Sequence, residues 1–370
     1  MKLLHITSAF PPSIGGVETF VADLSAWQAA NGVFATVVAG STDGDAREEH
    51  HNGVPLHRLP FVDVLGRQDL GDIMALRRRL ASFVASQAPD VIHLHPVAAE
   101  MIFMRDVAKA AAVPVVTTLH VDIAWQPAAY QTNLRGLLAR SDRIVAVSRP
   151  MLENAAQTFP DLAGQLRLVE NGMPWRDPSA DQAEPAHFLY LGRLAGEKGV
   201  DIALRAVALL TDRIPALHLT IAGDGPERAA LEALTEALGL GERVSFLGQV
   251  GRDRISTLMA RHVALLVPSR WEEPFGLVAI EAAMAGRPAI VSISGALPIL
   301  VEHGVTGLHV ERDDPEALAD AMIGLVQAPA RAALMGRAAA GQAATKWSIA
   351  RCGEAYGRIY AEAIGAKPGA

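Results

Sequence analysis

The 370-residue sequence predicts an α/β fold of two doubly wound, Rossmann-like domains facing a central cleft, and three observations carry that expectation. Short runs rich in Val, Ile and Leu alternate with longer segments of helical period. The short runs are apolar throughout, as strands buried on both faces must be. The alternation comes in two series, separated by a stretch with no period at all.

In the first series "KLLHIT", "ATVVAG", "VIHLH", "VVTTLH" and "RIVAVS" read as strands. The helical patterns "VETFVADLSAWQAANG" and "DIMALRRRLASFVASQ" lie between them. The second series has strands "HFLYLGR", "LHLTIAGD", "RVSFLG", "ALLVPS" and "PAIVS". Its helices are "VDIALRAVALL", "PERAALEALTEALGL" and "GLVAIEAAMAG". Between the series, "NGMPWRDPSADQAEPA" is rich in Pro, Asp and Ala and reads as a linker. The expected division is a first domain over 1–172, a linker over 173–186 and a second domain over 187–352.

Composition narrows the function. The chain is 50% hydrophobic and 20% charged, with net charge -7 and no long basic run, which argues against nucleic-acid binding. One cysteine, Cys352, permits no internal disulfide and fits a reducing cytosol. The opening "MKLLHITSAFPP" meets proline too early for a secretory signal, and no apolar run approaches a membrane span.

Ligands of open α/β sheets sit beyond the carboxyl ends of the strands, so chemistry is expected in the loops there. After the first strand, Gly15 and Gly16 precede a helix, where backbone can approach an anion closely. A plain tight turn is the other reading. The pattern is not GxGxxG, and Gly223 and Gly225 lack a third glycine, both against a nicotinamide enzyme. His120 follows "VVTTL" and suits a substrate hydroxyl or carbonyl, or is merely a satisfied polar residue. His93 and His95 share one strand face without a third ligand in view, so no metal site is expected. Arg193 and Lys198 follow the first strand of the second series, where two cations can neutralise a diphosphate.

The segment "WEEPFGLVAIEAAMAG" combines these themes. Pro274 and Gly276 mark a helix start whose free N–H groups carry partial positive charge toward the cleft. Glu273 precedes that helix and Glu281 lies inside it, on the order of 10 Å apart at helical rise. A carboxylate only accepts hydrogen bonds, so each suits a pair of sugar hydroxyls on either side of a diphosphate. A helix-dipole acid and an exposed helical residue are the plainer alternatives.

At this point a resemblance enters. "EPFGLVAIE" resembles the Glu-x7-Glu motif of the retaining GT-B glycosyltransferases of family 4, the glycosyl transferases group 1. "PPSIGGVE", "TLHVD", "SDRIVAVS", "LGRLAGEKGVD", "IAGDGPE", "VSFLGQV" and "GVTGLHVERDDPEALADAM" are similar to that family in order and approximate spacing. The resemblance spans nearly the whole chain. It implies a GT-B fold and transfer of a hexose from a UDP- or GDP-sugar, with retained anomeric configuration, to a glycan, lipid-linked or small-molecule acceptor. It implies that Arg193 and Lys198 bind the diphosphate, that Glu281 holds the ribose and that Glu273 meets the hexose. The backbone of Phe275, Gly276 and Leu277 would contact phosphate and sugar, Gly15 and Gly16 would lie near phosphate and acceptor, and His120 near the sugar. Gly248 and Val250 would lie beside the base. A helix over about 353–370 would rejoin the first domain. One departure stands out: where the family commonly has Gly-Gly-x-Pro-Glu, "SGALPI" puts Ala296 at the second Gly and Ile299 at the Glu.

The mechanism so implied stabilises the departing nucleoside diphosphate with Arg193, Lys198 and a helix N-terminus. It calls for no cofactor and no metal, in keeping with two cations and no Asp-x-Asp site. Competing classes are a nucleotide-sugar epimerase and a non-enzymatic two-domain sugar-binding protein. In "MALRRRLASF", Arg77, Arg78 and Arg79 beside apolar residues suit contact with an anionic membrane, or simply a solvated helix face.

Overall fold

The structure, a computed structural model, describes residues 1–13, 15–41, 43–123, 126–175 and 183–366. It divides into two units, Met1–Pro174 with Ser348–Ala370, and Trp175–Trp347. Residues 176–182 of the expected linker and 367–370 of the expected last helix lie outside the described residues.

In the first unit the strands are β1 (Lys2–Thr7), β2 (Phe34–Gly40), β3 (Arg47–His51), β4 (Val54–Leu59), β5 (Val91–His95), β6 (Val115–Leu119), β7 (Arg143–Ala146) and β8 (Leu166–Leu168). They form one sheet in the order β3-β4-β2-β1-β5-β6-β7-β8, parallel except for the β3–β4 pair. The helices are α1 (Gly16–Ala30), α2 (Phe61–Arg67), α3 (Leu70–Gln87), α4 (Met101–Ala110), α5 (Ala128–Leu138) and α6 (Arg149–Thr158). β3, β4 and β8 were not expected. β3 is "REEHH", an edge strand that buries little and so carries no apolar run. β4 alternates, and β8 has three residues.

The second unit has β9 (His187–Leu191), β10 (His218–Ala222), β11 (Val244–Gly248), β12 (Ala264–Val267), β13 (Ala289–Ser292) and β14 (Gly307–Val310). Every pairing in its sheet, ordered β11-β10-β9-β12-β13-β14, is parallel. Its helices are α7 (Val200–Leu210), α8 (Arg228–Ala237), α9 (Arg252–Ala260), α10 (Leu277–Met284), α11 (Leu297–Leu300), α12 (Pro315–Gln327) and α13 (Pro329–Lys346). Its core packs Phe188, Leu219, Leu266 and Ile290 of the sheet with Leu204 of α7 and Met322 of α12, each at most 1% exposed. Aliphatic residues fill both sides of the sheet because parallel strands are covered on both faces.

The last helix, α14 (Ile349–Ala366), belongs to the first unit. Its attachment is specific. Gly353 lies against the indole of Trp27 on α1, where a side chain would collide. Tyr356 and Tyr360 are 0% and 1% exposed and point their hydroxyls into the first sheet.

Candidate functional site

The second sheet reverses its winding between β9 and β12, the kind of switch point at which doubly wound sheets hold ligands. Arg193 and Lys198 leave β9, and Glu273 leaves β12. Lys198 Nζ donates to Glu273 Oε1 at 2.6 Å, and Ser269 Oγ donates to the same oxygen at 2.8 Å. Glu273 is 9% exposed, so this carboxylate is held by partners rather than by water. Its bond uses one of the three N–H donors of the ammonium. Arg193 pairs with Glu197, and its side chain is 64% exposed. The Glu197 carboxyl sits below the usual range: burial pushes it up, but its own backbone N–H and Arg193 outweigh that.

A clamp fixes the short turn Gly196–Lys198 against the loop after β12. The backbone N–H groups of Arg270 and Trp271 donate to Glu197 O at 2.9 and 3.2 Å. The Arg270 guanidinium donates to Gly196 O at 3.0 Å and grips both oxygens of Asp201 at 2.7 and 2.9 Å. Asp313 pairs with it as well. These carboxylates, Asp201 foremost, raise the Arg270 pKa above its ordinary value. Arg270 carried no signal in the sequence, since a charged residue in a loop reads as solvated.

Gly276 caps α10 in the left-handed region, φ 101°, and a Cβ there would lie 2.7 Å from Leu297 Cδ2. Only glycine fits both demands. No side chain caps the helix, so its first N–H groups are available to an external anion. Phe275 is buried at 4%, and Leu277 opens the helix. Glu281 sits half-buried on α10. Because the helix begins at Leu277, helical rise covers only part of the Glu273–Glu281 interval, and the spacing expected from it does not carry across the loop. The loop after β13 secures the acidic pair from behind. Gly295 N–H donates to Glu272 Oε2 at 2.6 Å, and Ala296 N–H donates to Glu273 O at 2.9 Å. Ile299, where the family pattern has Glu, is 45% exposed. At the other side of the sheet, Gly248 O accepts from Gly223 N–H at 2.7 Å, which draws the loop through Val250 against the loop after β10.

In the first unit, Gly15 caps α1 with φ 176°, an extended conformation open to any residue. What it provides is space, since a side chain there would strike the Glu18 carboxylate. Gly16 begins the helix and is exposed. Burial raises the Glu18 carboxyl, partly offset by its own backbone N–H. His120 directly follows β6 and is 7% exposed.

The third histidine that His93 and His95 lacked comes from the neighbouring strand. Register places His5 on β1 opposite His93, and the nitrogens of His5, His93 and His95 lie within 4.8 Å of one another. Each ring nitrogen already has a partner. His5 meets His95 and Gln28, His93 meets Tyr360 and Thr118, and His95 meets His5 and His120. Hydrogen bonds thus join the three rings, whose nitrogens also stand close enough together to hold a metal ion.

One expectation is corrected. The chain does contain an Asp-x-Asp sequence, Asp43 and Asp45. It precedes β3 in the first unit, where Asp43 accepts from Ser41 Oγ at 2.7 Å and pairs with Arg47. On α3, Arg77 reaches Asp106 at 2.8 Å, while Arg78, Arg79, Leu70 and Met74 are exposed. Among the described residues, no helix is long and apolar enough to cross a membrane.

Two family models match consecutive parts of the chain. "Glycosyltransferase Family 4" matches residues 14–174 and "Glycosyl transferases group 1" matches residues 174–342. Glycogen synthase from Mycobacterium tuberculosis is 29% identical over 92% of this chain and 89% of its own. Among solved structures, sucrose-phosphate synthase from Thermosynechococcus elongatus has a TM-score of 0.85 at 24% identity, covering 99% of this chain and 100% of its own. Anabaena HepE, solved with UDP-glucose, has a TM-score of 0.79 at 21% identity, covering 98% of this chain and 99% of its own.

Proposed function

Since the chain belongs to the group 1, family 4 glycosyltransferases, with their GT-B fold, and moves a sugar from a nucleotide-diphosphate donor to an acceptor, we propose that it uses a UDP-sugar and retains the anomeric configuration. The observation that carries this reading is the Lys198–Glu273 pair at the switch point, beside the uncapped start of α10. Lys198 and Arg193 take the diphosphate. The N–H groups from Phe275 to Leu277 take phosphate and sugar. Glu273 accepts from hexose hydroxyls, Glu281 from the ribose, and Gly248 and Val250 flank the base. His120, Gly15 and Gly16 serve the sugar, phosphate and acceptor. UDP is preferred to GDP because HepE, similar over its full length, was solved with UDP and UDP-glucose.

The chemistry is electrostatic. As the bond to the anomeric carbon breaks, negative charge grows on the leaving diphosphate, and the two cations and the helix N-terminus meet it in place. No metal is required, and Glu273, already tied to Lys198 and Ser269, is not assigned as a covalent nucleophile. The acceptor is a glycan, a lipid-linked sugar or a small molecule. For a lipid-linked one, Leu70 and Met74 with Arg78 and Arg79 would rest on an anionic membrane surface. A calorimetric screen of UDP, GDP and ADP, followed by turnover with the sugar of the winning nucleotide, tests the reading. Tight GDP binding without UDP binding would reverse the choice of base.

A further inference from the structure

The buried histidines form one end of a longer hydrogen-bonded chain, which the transfer reaction as proposed leaves unexplained. His120 Nε2 lies 2.9 Å from His95 Nδ1. His95 Nε2 lies 3.0 Å from His5 Nδ1, and His5 Nε2 lies 2.8 Å from Gln28 Oε1. The Gln28 amide nitrogen donates to the Tyr360 hydroxyl at 3.1 Å, which lies 2.8 Å from His93 Nδ1. His93 Nε2 is 2.7 Å from Thr118 Oγ1, itself 3.0 Å from the Tyr356 hydroxyl. All eight groups are buried.

Four imidazoles in such a chain cannot choose their tautomers separately. A neutral ring has one donor and one acceptor nitrogen, so each bond dictates the next. Burial keeps these rings neutral: it lowers the pKa of His5 to about 4 and of His120 to about 3, and that of His93 and His95 well below the usual value. A carboxamide, by contrast, has chemically distinct ends. With Gln28 Oε1 facing His5, as in the structure, His5 carries its proton on Nε2 and accepts at Nδ1. His95 then carries its proton on Nε2 and accepts at Nδ1, and so His120 does the same in turn. On the other branch the amide donates to Tyr360, Tyr360 to His93, His93 to Thr118 and Thr118 to Tyr356. Every bond is satisfied in one direction.

We propose that Gln28 is a positioning residue that fixes the tautomer of His120 through His5 and His95, so that His120 holds its proton on Nε2 and offers Nδ1 as an acceptor. The proposal rests on the reading that His120 meets the donor sugar. An Nδ1 lone pair would then receive a hydrogen bond from a sugar hydroxyl, whereas the opposite tautomer would present an N–H there and make that hydroxyl accept instead of donate. Turning the Gln28 amide by 180° would reverse every donor in the chain, which is why a residue three side chains away governs the one that meets the sugar.

The tautomer is read directly by 15N NMR of the histidine-labelled full chain at neutral pH, with His120 assigned by comparison with His120→Ala. The expected result is a protonated Nε2 and a bare Nδ1. A protonated Nδ1, or an imidazolium, would overturn the proposal, as would stoichiometric zinc in the purified protein, since a metal consumes the lone pairs the chain uses. Gln28→Met should mix the two tautomers and lower kcat about tenfold with an unchanged Kd for nucleoside diphosphate. Gln28→Glu, which still accepts from His5, should restore both the tautomer and kcat. A tautomer indifferent to both substitutions would also overturn it. If the tautomer is as expected but His120→Ala transfers sugar at full rate, the relay stands and the sugar-contact reading fails, so the two are told apart.

Discussion

Lys198 and Glu273 lie 75 residues apart in sequence and 2.6 Å apart in the structure. The cation expected to meet phosphate and the carboxylate expected to meet sugar are thus one ion pair at the switch point of the second sheet. Each holds the other in place, and neither can be changed without affecting its partner.

Replacing Lys198 by Ala should therefore do two things. Loss of a charged hydrogen bond should weaken nucleoside diphosphate binding by about 1.5–3 kcal/mol, roughly 10- to 150-fold. It should also lower the melting temperature, because Glu273 is left nearly buried beside Ser269 alone. Arg193→Ala should weaken binding comparably yet leave stability unaltered, since that side chain is 64% exposed. Equal melting temperatures for the two variants would dissolve the distinction.

The two glutamates should also separate. Glu281→Gln should weaken UDP and the full donor alike, because the amide brings a donor where a second acceptor was needed. Glu273→Gln should retain or tighten UDP binding, as Lys198 is released from a carboxylate, while transfer falls. Calorimetry with UDP beside a transfer assay checks both. Unchanged binding and turnover in both variants would return Glu281 and Glu273 to ordinary surface and helix-start roles.

Transfer should survive excess EDTA. In the proposed mechanism two cations and the helix N-terminus supply the charge stabilisation, and Asp43 of the Asp-x-Asp sequence is engaged elsewhere, with Ser41 and Arg47. Activity that vanishes with EDTA and returns with Mn²⁺ would show that protein groups do not suffice.

Arg270→Ala should loosen the turn that carries Lys198. We expect a loss of about 1–3 kcal/mol of stability, as Asp201 and Asp313 lose their shared partner, together with a higher KM for the donor. Arg270→Lys should recover little, since an ammonium cannot grip Asp201 at both oxygens. A lysine variant equal to the native protein would argue against the two-pronged grip.

Acid should destabilise the first unit at unusually mild pH. His5 and His120 have folded pKa values near 4 and 3, below the ordinary 6.5. Between those limits the unfolded chain binds more protons than the folded one, so stability rises with pH. It is fully present above about pH 6.5 and is lost as pH falls through the window, each histidine costing up to about 1.4 kcal/mol per pH unit. Denaturant midpoints measured at pH 7.5 and 5.5 should differ markedly, and identical midpoints would mean the histidines are not buried neutral.

The sequence by itself determined the elements that periodicity can reveal. α7 runs over the same residues as its apolar pattern, and the ten apolar runs all became strands. It also singled out the loops after the strands as candidates, because glycine pairs, a Pro and Gly ahead of a helix and clustered charges are local signals. β3, β4 and β8 escaped, being polar, alternating or very short, and β14, "GLHV", escaped because its apolar run is broken by His309. What the tertiary structure alone decided was partnership. Lys198 with Glu273, Arg270 with Asp201, and His5 with His95 join residues whose separation in sequence says nothing of their distance in space. Strand order sets those distances. Placing β1 beside β5 brings three histidines onto one sheet face, and placing β9 beside β12 brings a lysine to a glutamate. A residue's type fixes what bonds it can make, but parallel strand order, which no local pattern encodes, chooses the group that answers it.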